Sequence, residues 1–155
     1  MPAVLAFRNR QRVRPLRLSL LRRITRQTLG ELGVADYELG FHFVDAAEMA
    51  RINQTFLQHA GSTDVITFDH SDGAEQLHGE IFISVPDAVQ QAREFRTTWT
   101  EELVRYLIHG LLHLRGYDDL QPALRRVMKR EEERLLRLVA AQFDLREIGR
   151  VPPSS

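Results

Sequence analysis

Two histidines stand four residues apart in the stretch LIHGLLHLRGYDDL, which spans residues 107–120. Residues four apart on a helix lie one turn apart on the same face, so His109 and His113 would direct both rings at one point. Two ligands of one metal ion require this arrangement, although two ligands alone bind weakly. Because the chain contains no cysteine, any further protein ligand must be a histidine, an aspartate or a glutamate.

A third ligand follows at a recognisable spacing. Gly116 lies three residues after His113 and would end the helix in a left-handed cap that reverses the chain. Asp119 comes three residues later, so that H-x-x-x-H-x-x-G-x-x-D follows the metzincin plan. We predict that His109, His113 and Asp119 hold one metal ion, because a catalytic zinc usually takes three protein ligands and keeps one open position. Asp118 is the competing carboxylate, and a buried helix with two incidental histidines is the alternative without a metal.

Gly110 stands where HExxH peptidases have the glutamate that takes a proton from water. A peptidase mechanism would therefore lack its general base, and the catalytic residues stay unassigned. Glycine at this position would also leave room beside the ion for a bulky group. Two other acids are of interest: Glu80 is an alternative carboxylate, and Glu102, seven residues before His109, would either orient a ligand or act as a helix-dipole partner.

The length and composition of the chain indicate a single globular domain. Its 155 residues fit one domain, and its content of 43% hydrophobic and 27% charged residues is typical of a soluble protein. No apolar run approaches the ~18 residues that a membrane span needs, and the first residues do not resemble a secretory signal. We expect a cytoplasmic protein with no membrane partner, folded as a single domain over residues 1–150 and followed by a tail at 151–155.

Hydrophobic periodicity predicts the elements that must position the site. The order β-α-β-α-β-β-α-α-α predicts an α+β domain, a single compact unit in which helices cover a small mixed sheet and one helix is metzincin-like. In the helix capped by Asp45 and in the last helix, we expect Phe56, Leu124 and Val127 to point inward. The predicted strands cover 3–14, 37–44, 65–68 and 79–85, and the other predicted helices cover 16–32, 86–95, 100–114 and 121–143.

Positive charge is concentrated at the N-terminus, where residues 1–30 include eight arginines and no acidic residue. In a strand, Arg8, Arg10, Arg12 and Arg14 would point to the same side, about 6.6 Å apart. Such a row would attract RNA phosphates. The alternative is a solvated strand edge that charge protects from pairing.

The histidine stretch resembles the signature of the YbeY family, which comprises bacterial endoribonucleases that act as ribosomal-RNA maturation factors. HGLLHLRGYDD is similar to the family's H-G-x-L-H-L-x-G-Y-D-H. INQTFLQHAGSTDVITF (52–68) is similar to its segment of an asparagine, an aromatic and T-D-V-L-S-F, and GEIFIS (79–84) is similar to its G-D-I-x-I strand. Matching segments cover about residues 45–135. The resemblance implies a single α+β domain with a zinc ion held by three histidines.

Two residues depart from the family pattern. Asp119 stands at the third family histidine, which makes the predicted ligand set two histidines and one carboxylate. That set suits Zn²⁺, although a carboxylate oxygen is a harder ligand than an imidazole and makes Mn²⁺ or Fe²⁺ better suited than they would be to three histidines. Leu57 stands where an arginine usually follows the aromatic. If that arginine clamps a phosphate, the clamp here would come from elsewhere, such as Arg115 or the N-terminal strand.

The first functional hypothesis is therefore a zinc-dependent single-strand endoribonuclease, a hydrolase that acts in ribosomal-RNA maturation and ribosome quality control. The metal would activate water and offset charge on the phosphate, and the partners would be ribosomal RNA and ribosomal particles. The second hypothesis, favoured by Leu57, is a non-catalytic ribosome-assembly factor with a structural metal. A redox enzyme built on two histidines and one carboxylate ranks third, and a peptidase ranks last. The oligomeric state stays open.

Overall fold

The structure is a computed structural model that describes residues 2–57, 64–73 and 76–150. The proposed tail at 151–155 lies outside the described residues. Within them, none of the helices combines the length and the apolar character that crossing a bilayer requires. The strands are β1 (Ala3–Asn9), β2 (Tyr37–Val44), β3 (Val65–Asp69) and β4 (Leu77–Ser84), and the helices are α1 (Leu18–Glu31), α2 (Ala46–Ile52), α3 (Val85–Phe95), α4 (Trp99–Leu114) and α5 (Pro122–Gln142).

The four strands form one mixed sheet in the order β1-β2-β4-β3. β2 pairs in parallel with both β1 and β4, whereas β3 runs antiparallel to β4. The antiparallel pair is the hairpin-like connection expected for two successive strands, and the parallel pairs need the helical crossovers α1 and α2. The architecture is therefore the α+β domain that the element order predicts.

Alternation along the strands divides the side chains between two faces. Phe41, Phe43, Ile81 and Ile83 are fully buried on the face that the main hydrophobic core covers. α4 contributes the largest group of helical residues to this core. On the opposite face, a small cluster of Val44, Met49 and Ile66 packs beneath α2. The predicted metal helix is thus the central helix, held firmly against the sheet.

β1 is shorter than expected, and the predicted row of four arginines does not form. The strand ends at Asn9 because Gln11, which is only 6% exposed, folds the chain into a turn. The Gln11 side-chain oxygen accepts hydrogen bonds from the backbone N–H groups of Val13 (2.8 Å) and Arg14 (3.0 Å). Arg10 instead donates to Glu48 Oε2 at 3.1 Å. The expectation that strand periodicity would continue to residue 14 is wrong.

Three predicted core residues are exposed instead: Phe56 (64%), Leu124 (43%) and Val127 (48%). α2 ends at Ile52, and the following turn, Asn53–Leu57, is a wider π-helix that changes the direction of the later side chains. In α5, the buried residues begin only at Met128, so the first turns of this helix extend past the core. A short 3₁₀-helix at Leu145–Gly149, which periodicity does not predict, closes the described chain.

Candidate metal centre

The C-terminus of α4 reverses the chain through a glycine cap. Gly116 has φ +104°, a conformation that side-chain-bearing residues rarely adopt. Its N–H donates to His113 O at 3.0 Å, and Tyr117 N–H donates to Leu112 O at 3.0 Å. This pair of bonds is a Schellman motif, which satisfies the last carbonyl groups of the helix. The reversal returns Asp119 to the face of α4 that bears the two histidines.

The three predicted ligands converge. His109 Nε2 lies 3.6 Å and His113 Nε2 lies 3.5 Å from Asp119 Oδ2, and the three ligand atoms all lie within 4.8 Å of one another. Two ligands about 2.0–2.1 Å from a tetrahedral ion would be about 3.3 Å apart. The donor set and its spacing therefore fit a divalent cation. The side chains are about one-third exposed, so the site is accessible from solvent.

The two adjacent aspartates have different roles. Asp118 Oδ1 accepts a hydrogen bond from Leu120 N–H at 2.8 Å, which makes it a turn residue. The carboxylate of Asp119 faces the histidines, and its backbone carbonyl accepts from Arg125 Nε at 3.0 Å. Arg125, in the second turn of α5, therefore tethers the loop that presents Asp119.

Glu132 belongs to the candidate site, and it was not predicted from the sequence. Its carboxylate, on α5, lies 2.7 Å from His109 Nδ1, and its side chain is only 5% exposed. An ionised carboxylate can only accept a hydrogen bond, so Nδ1 is the donor. In the neutral ring the lone pair is then on Nε2, which faces Asp119. The sequence did contain one sign of this role: Glu132 follows Met128 by one helical turn and so lies on the otherwise apolar, buried face of α5.

His109 and Glu132 also shift each other's pKa. Burial of the ring opposes protonation, but the hydrogen bond to Glu132 and the charges of Glu132 and Asp119 outweigh it, and the pKa of His109 is raised. Burial likewise opposes ionisation of Glu132, but His109 and Lys129 hold its pKa below the ordinary value. The site therefore concentrates negative charge around His109 and favours a cation there.

The other two carboxylates of interest lie outside the ligand group. Glu102 is buried, accepts a hydrogen bond from Thr97 Oγ1 at 2.8 Å and pairs with Arg105 Nε at 3.4 Å. Glu80 points to the opposite face of the sheet, where it contacts His42 Nε2 at 2.9 Å and His70 Nε2 at 3.4 Å. Burial opposes ionisation of Glu80, but these two histidines keep its pKa lowered. The part of the upstream matching segment at 58–63 lies outside the described residues.

Gly110 is required by packing and does not leave room beside the ion. A Cβ at this position would lie 2.8 Å from Ile81 Cγ2, which is closer than real side chains approach. Ile81 is fully buried in β4. Gly110 therefore lets α4 lie close to the sheet, and the expectation that this glycine leaves room beside the metal is wrong.

Two cavities meet at the ligand group. One, of about 250 Å³, includes His109 and Asp119 with the cationic side chains of Arg105, Arg125 and Lys129 in its wall. The other, of about 340 Å³, includes all three predicted ligands. Asp64 lines both, and its Oδ1 accepts from Val65 N–H at 2.8 Å, as expected of a turn residue.

Comparison with known proteins finds a family and relatives that carry the same description. The family described as Endoribonuclease YbeY matches residues 6–140. An Endoribonuclease YbeY of Salinibacter ruber is 32% identical over 146 residues, which cover 89% of this chain and 93% of the relative. An Endoribonuclease YbeY of Chlorobium phaeovibrioides is 36% identical over 121 residues, which cover 78% and 81%. The solution structure of TM1509 from Thermotoga maritima matches with a TM-score of 0.69 over 98% of this chain and 99% of that one, at 24% identity, and shows the shared fold.

Proposed function

Because this chain belongs to the YbeY family, we propose that it is a metal-dependent endoribonuclease that cuts single-stranded RNA. Its biological role is the maturation of ribosomal RNA and the quality control of ribosomes in the cytoplasm, with ribosomal RNA and ribosomal particles as partners. The single observation that supports a metal-dependent reaction most strongly is the convergence of His109, His113 and Asp119 at an accessible cavity.

The donor set favours Zn²⁺ as the bound ion, with Mn²⁺ or Fe²⁺ as alternatives because one ligand is a carboxylate oxygen. When bound, such an ion would supply Lewis acidity for hydrolysis of a phosphodiester. The chain itself supplies the ligand geometry. Glu132 fixes the ring of His109, and the Gly116 cap together with Arg125 fixes the position of Asp119.

The cavity wall suits a phosphodiester substrate. Arg125 lines the cavity that includes His109 and Asp119, and guanidinium groups bind phosphate oxygens through paired hydrogen bonds. Lys129 also lines it but is paired with Glu132 at 3.3 Å and with Glu133 at 3.5 Å. Arg125 thus provides a cation near the metal in a chain that has Leu57 at the position of the usual family arginine. A glutamate base is missing from the helix motif because residue 110 is glycine.

Metal content and RNA cleavage of the wild type, Asp119→Ala and Asp118→Ala test the proposal. Protein purified without added metal should contain close to one divalent ion per chain and should cleave a single-stranded RNA. Asp119→Ala should lose both properties, because two imidazoles alone bind weakly. Asp118→Ala should keep both, since its carboxylate serves the turn. Full metal content in Asp119→Ala would contradict the ligand assignment.

A ribosome-assembly factor with a structural metal is the second candidate function. The observations that favour it are the absence of a base at Gly110 and the presence of Leu57. His113→Ala separates the two functions. Loss of cleavage by a folded His113→Ala protein supports the nuclease. A wild type that binds metal but leaves structured and single-stranded RNA intact supports the assembly factor.

A further inference from the structure

A second cationic cavity, of about 340 Å³, lies at the other end of α4 from the metal centre. Three arginines from separate parts of the chain line it: Arg14 after β1, Arg93 on α3 and Arg146 on the 3₁₀-helix. No carboxylate-bearing residue belongs to its lining, which also includes Trp99. The cavity thus combines three positive charges with one large aromatic ring.

The charges of these arginines are not neutralised within the described residues. None of the three forms an ion pair there, and the only hydrogen bond that one of their guanidinium groups donates runs from Arg14 to the Val13 carbonyl at 2.9 Å. Glu101 and Asp144 line the adjacent cavity, to which Arg146 also belongs. Like charges placed around one space repel each other, and an anion in that space would remove the repulsion.

The backbone at each arginine is held in place. The Gln11 side chain bonds both the N–H (3.0 Å) and the carbonyl (2.8 Å) of Arg14. Arg93 lies in the last turn of α3, and the Arg146 N–H donates to Asp144 Oδ1 at 3.1 Å. These guanidinium groups therefore sit on a preformed scaffold, which lowers the entropic cost of binding an anion.

The guanidinium groups, and not the start of α4, account for the attraction to anions. Thr98 caps α4, and its hydroxyl accepts from the Glu101 N–H at 3.2 Å. That bond satisfies one of the free donors that a helix N-terminus would otherwise offer.

Trp99 adds an aromatic side chain to the lining of the cavity. Its indole packs against the backbone at Gly149, where an added Cβ would lie only 2.6 Å from Trp99 Cζ2. The ring is partly exposed. Arginines bind phosphate oxygens, and a fixed aromatic ring stacks on nucleic-acid bases, so the combination suits a nucleotide unit.

We propose that this cavity binds a phosphate and its adjoining base in a single-stranded RNA whose other end reaches the metal centre. The proposal rests on the proposed endoribonuclease function and deepens it, because it assigns a second point of substrate contact. Trp99 and His109 both lie on α4, about 15 Å apart along the helix axis at 1.5 Å per residue. Several nucleotides of the RNA strand would therefore lie between this anchor and the cleavage site.

The protein provides its own probe, since Trp99 is the only tryptophan in the chain. The fluorescence of Trp99 should be quenched, with saturation, when a single-stranded RNA oligonucleotide is added. The titration uses His113→Ala, so that cleavage does not consume the RNA. A nucleoside monophosphate and inorganic phosphate form two further arms of the titration. Quenching by the monophosphate but not by RNA would overturn the assignment to an RNA strand.

Paired substitutions test the arginines. Arg93→Gln with Arg146→Gln should weaken RNA binding about tenfold and reduce the slope of log affinity against log salt by about 1 to 2. The control, Arg26→Gln with Arg137→Gln, removes the same charge from two exposed helix positions that line neither this cavity nor those at the metal centre. Equal affinities for the two double variants would overturn the proposal.

The outcomes separate this inference from the proposed function. If the wild type cleaves RNA while Trp99 fluorescence and the arginine variants are unaffected, the second contact is wrong and the nuclease stands. If RNA quenches Trp99 but the wild type never cleaves, the second contact stands and the nuclease is wrong.

Discussion

At the scale of single residues, Glu132 determines how His109 is presented. The carboxylate is almost fully buried and bonds to Nδ1 at 2.7 Å, which leaves Nε2 facing Asp119. Outer carboxylates of this kind orient a ligand ring and increase its basicity. Glu132 contacts His109 and neither of the other two predicted ligands, so it acts as a positioning residue.

Substituting Glu132 should weaken metal binding without removing a ligand. We expect Glu132→Gln to lower the metal affinity about 10- to 100-fold, because an amide is a weaker acceptor for the His109 N–H. Competition with a chelator of known affinity measures the change. Glu131→Gln is the matched control, since Glu131 is the neighbouring residue and pairs with Arg134. Equal affinities of the two variants would show that Glu132 does not position His109.

At the scale of elements, α4 positions the site because it packs closely on the sheet. Gly110 faces Ile81 of β4, and the Schellman cap at Gly116 turns the chain back toward the helix. The same helix also begins beside the arginine-lined cavity. One rigid element therefore determines the distance between the metal centre and the proposed RNA anchor.

Close packing at Gly110 should make an added methyl group destabilising. We expect Gly110→Ala to lower the free energy of unfolding, because overpacking costs about 1–3 kcal/mol and outweighs the gain of ~1 kcal/mol in helix propensity. Gly30→Ala in α1 is the control, because a Cβ there meets nothing within 4 Å. That variant should be more stable by up to about 1 kcal/mol. Urea unfolding measures both, and a stabilised Gly110→Ala would contradict the packing argument.

At the scale of the whole molecule, the proposed ion joins the central helix to the loop that precedes α5. His109 and His113 belong to the central helix, whereas Asp119 lies in the loop before α5. Glu132 adds α5 to the same group. Metal binding should therefore stabilise the folded protein through the attachment of this loop to the core.

Removing the metal should lower the Tm of the wild type. At a free-metal concentration about 100 times the Kd, binding stabilises the folded state by about 2.7 kcal/mol, and a chelator removes that contribution. Thermal unfolding with and without chelator measures it. In Asp119→Ala the chelator should change the Tm much less. A chelator-induced decrease of equal size in both proteins would show that the ion binds elsewhere.

Local patterns predicted much of this molecule. The helical spacing of His109 and His113, the glycine reversal at residue 116 and the return of Asp119 depend on short stretches of backbone with regular geometry. The order of strands and helices was predictable for the same reason. The prediction failed where local regularity stopped, at the Gln11 turn and at the π-helix after Ile52. In both places, a local departure from regular hydrogen bonding overrides the periodic pattern.

The sequence by itself determined the ligand spacing, the element order and the resemblance to a family, because each depends on residues that are close together along the chain. Only the tertiary structure decided that Glu132 supports His109 across 23 positions and that Gly110 accommodates Ile81. It alone placed Arg14, Arg93 and Arg146 around one cavity. The physical reason is that such contacts depend on how helices and strands pack against one another, which the periodicity of a single segment does not specify.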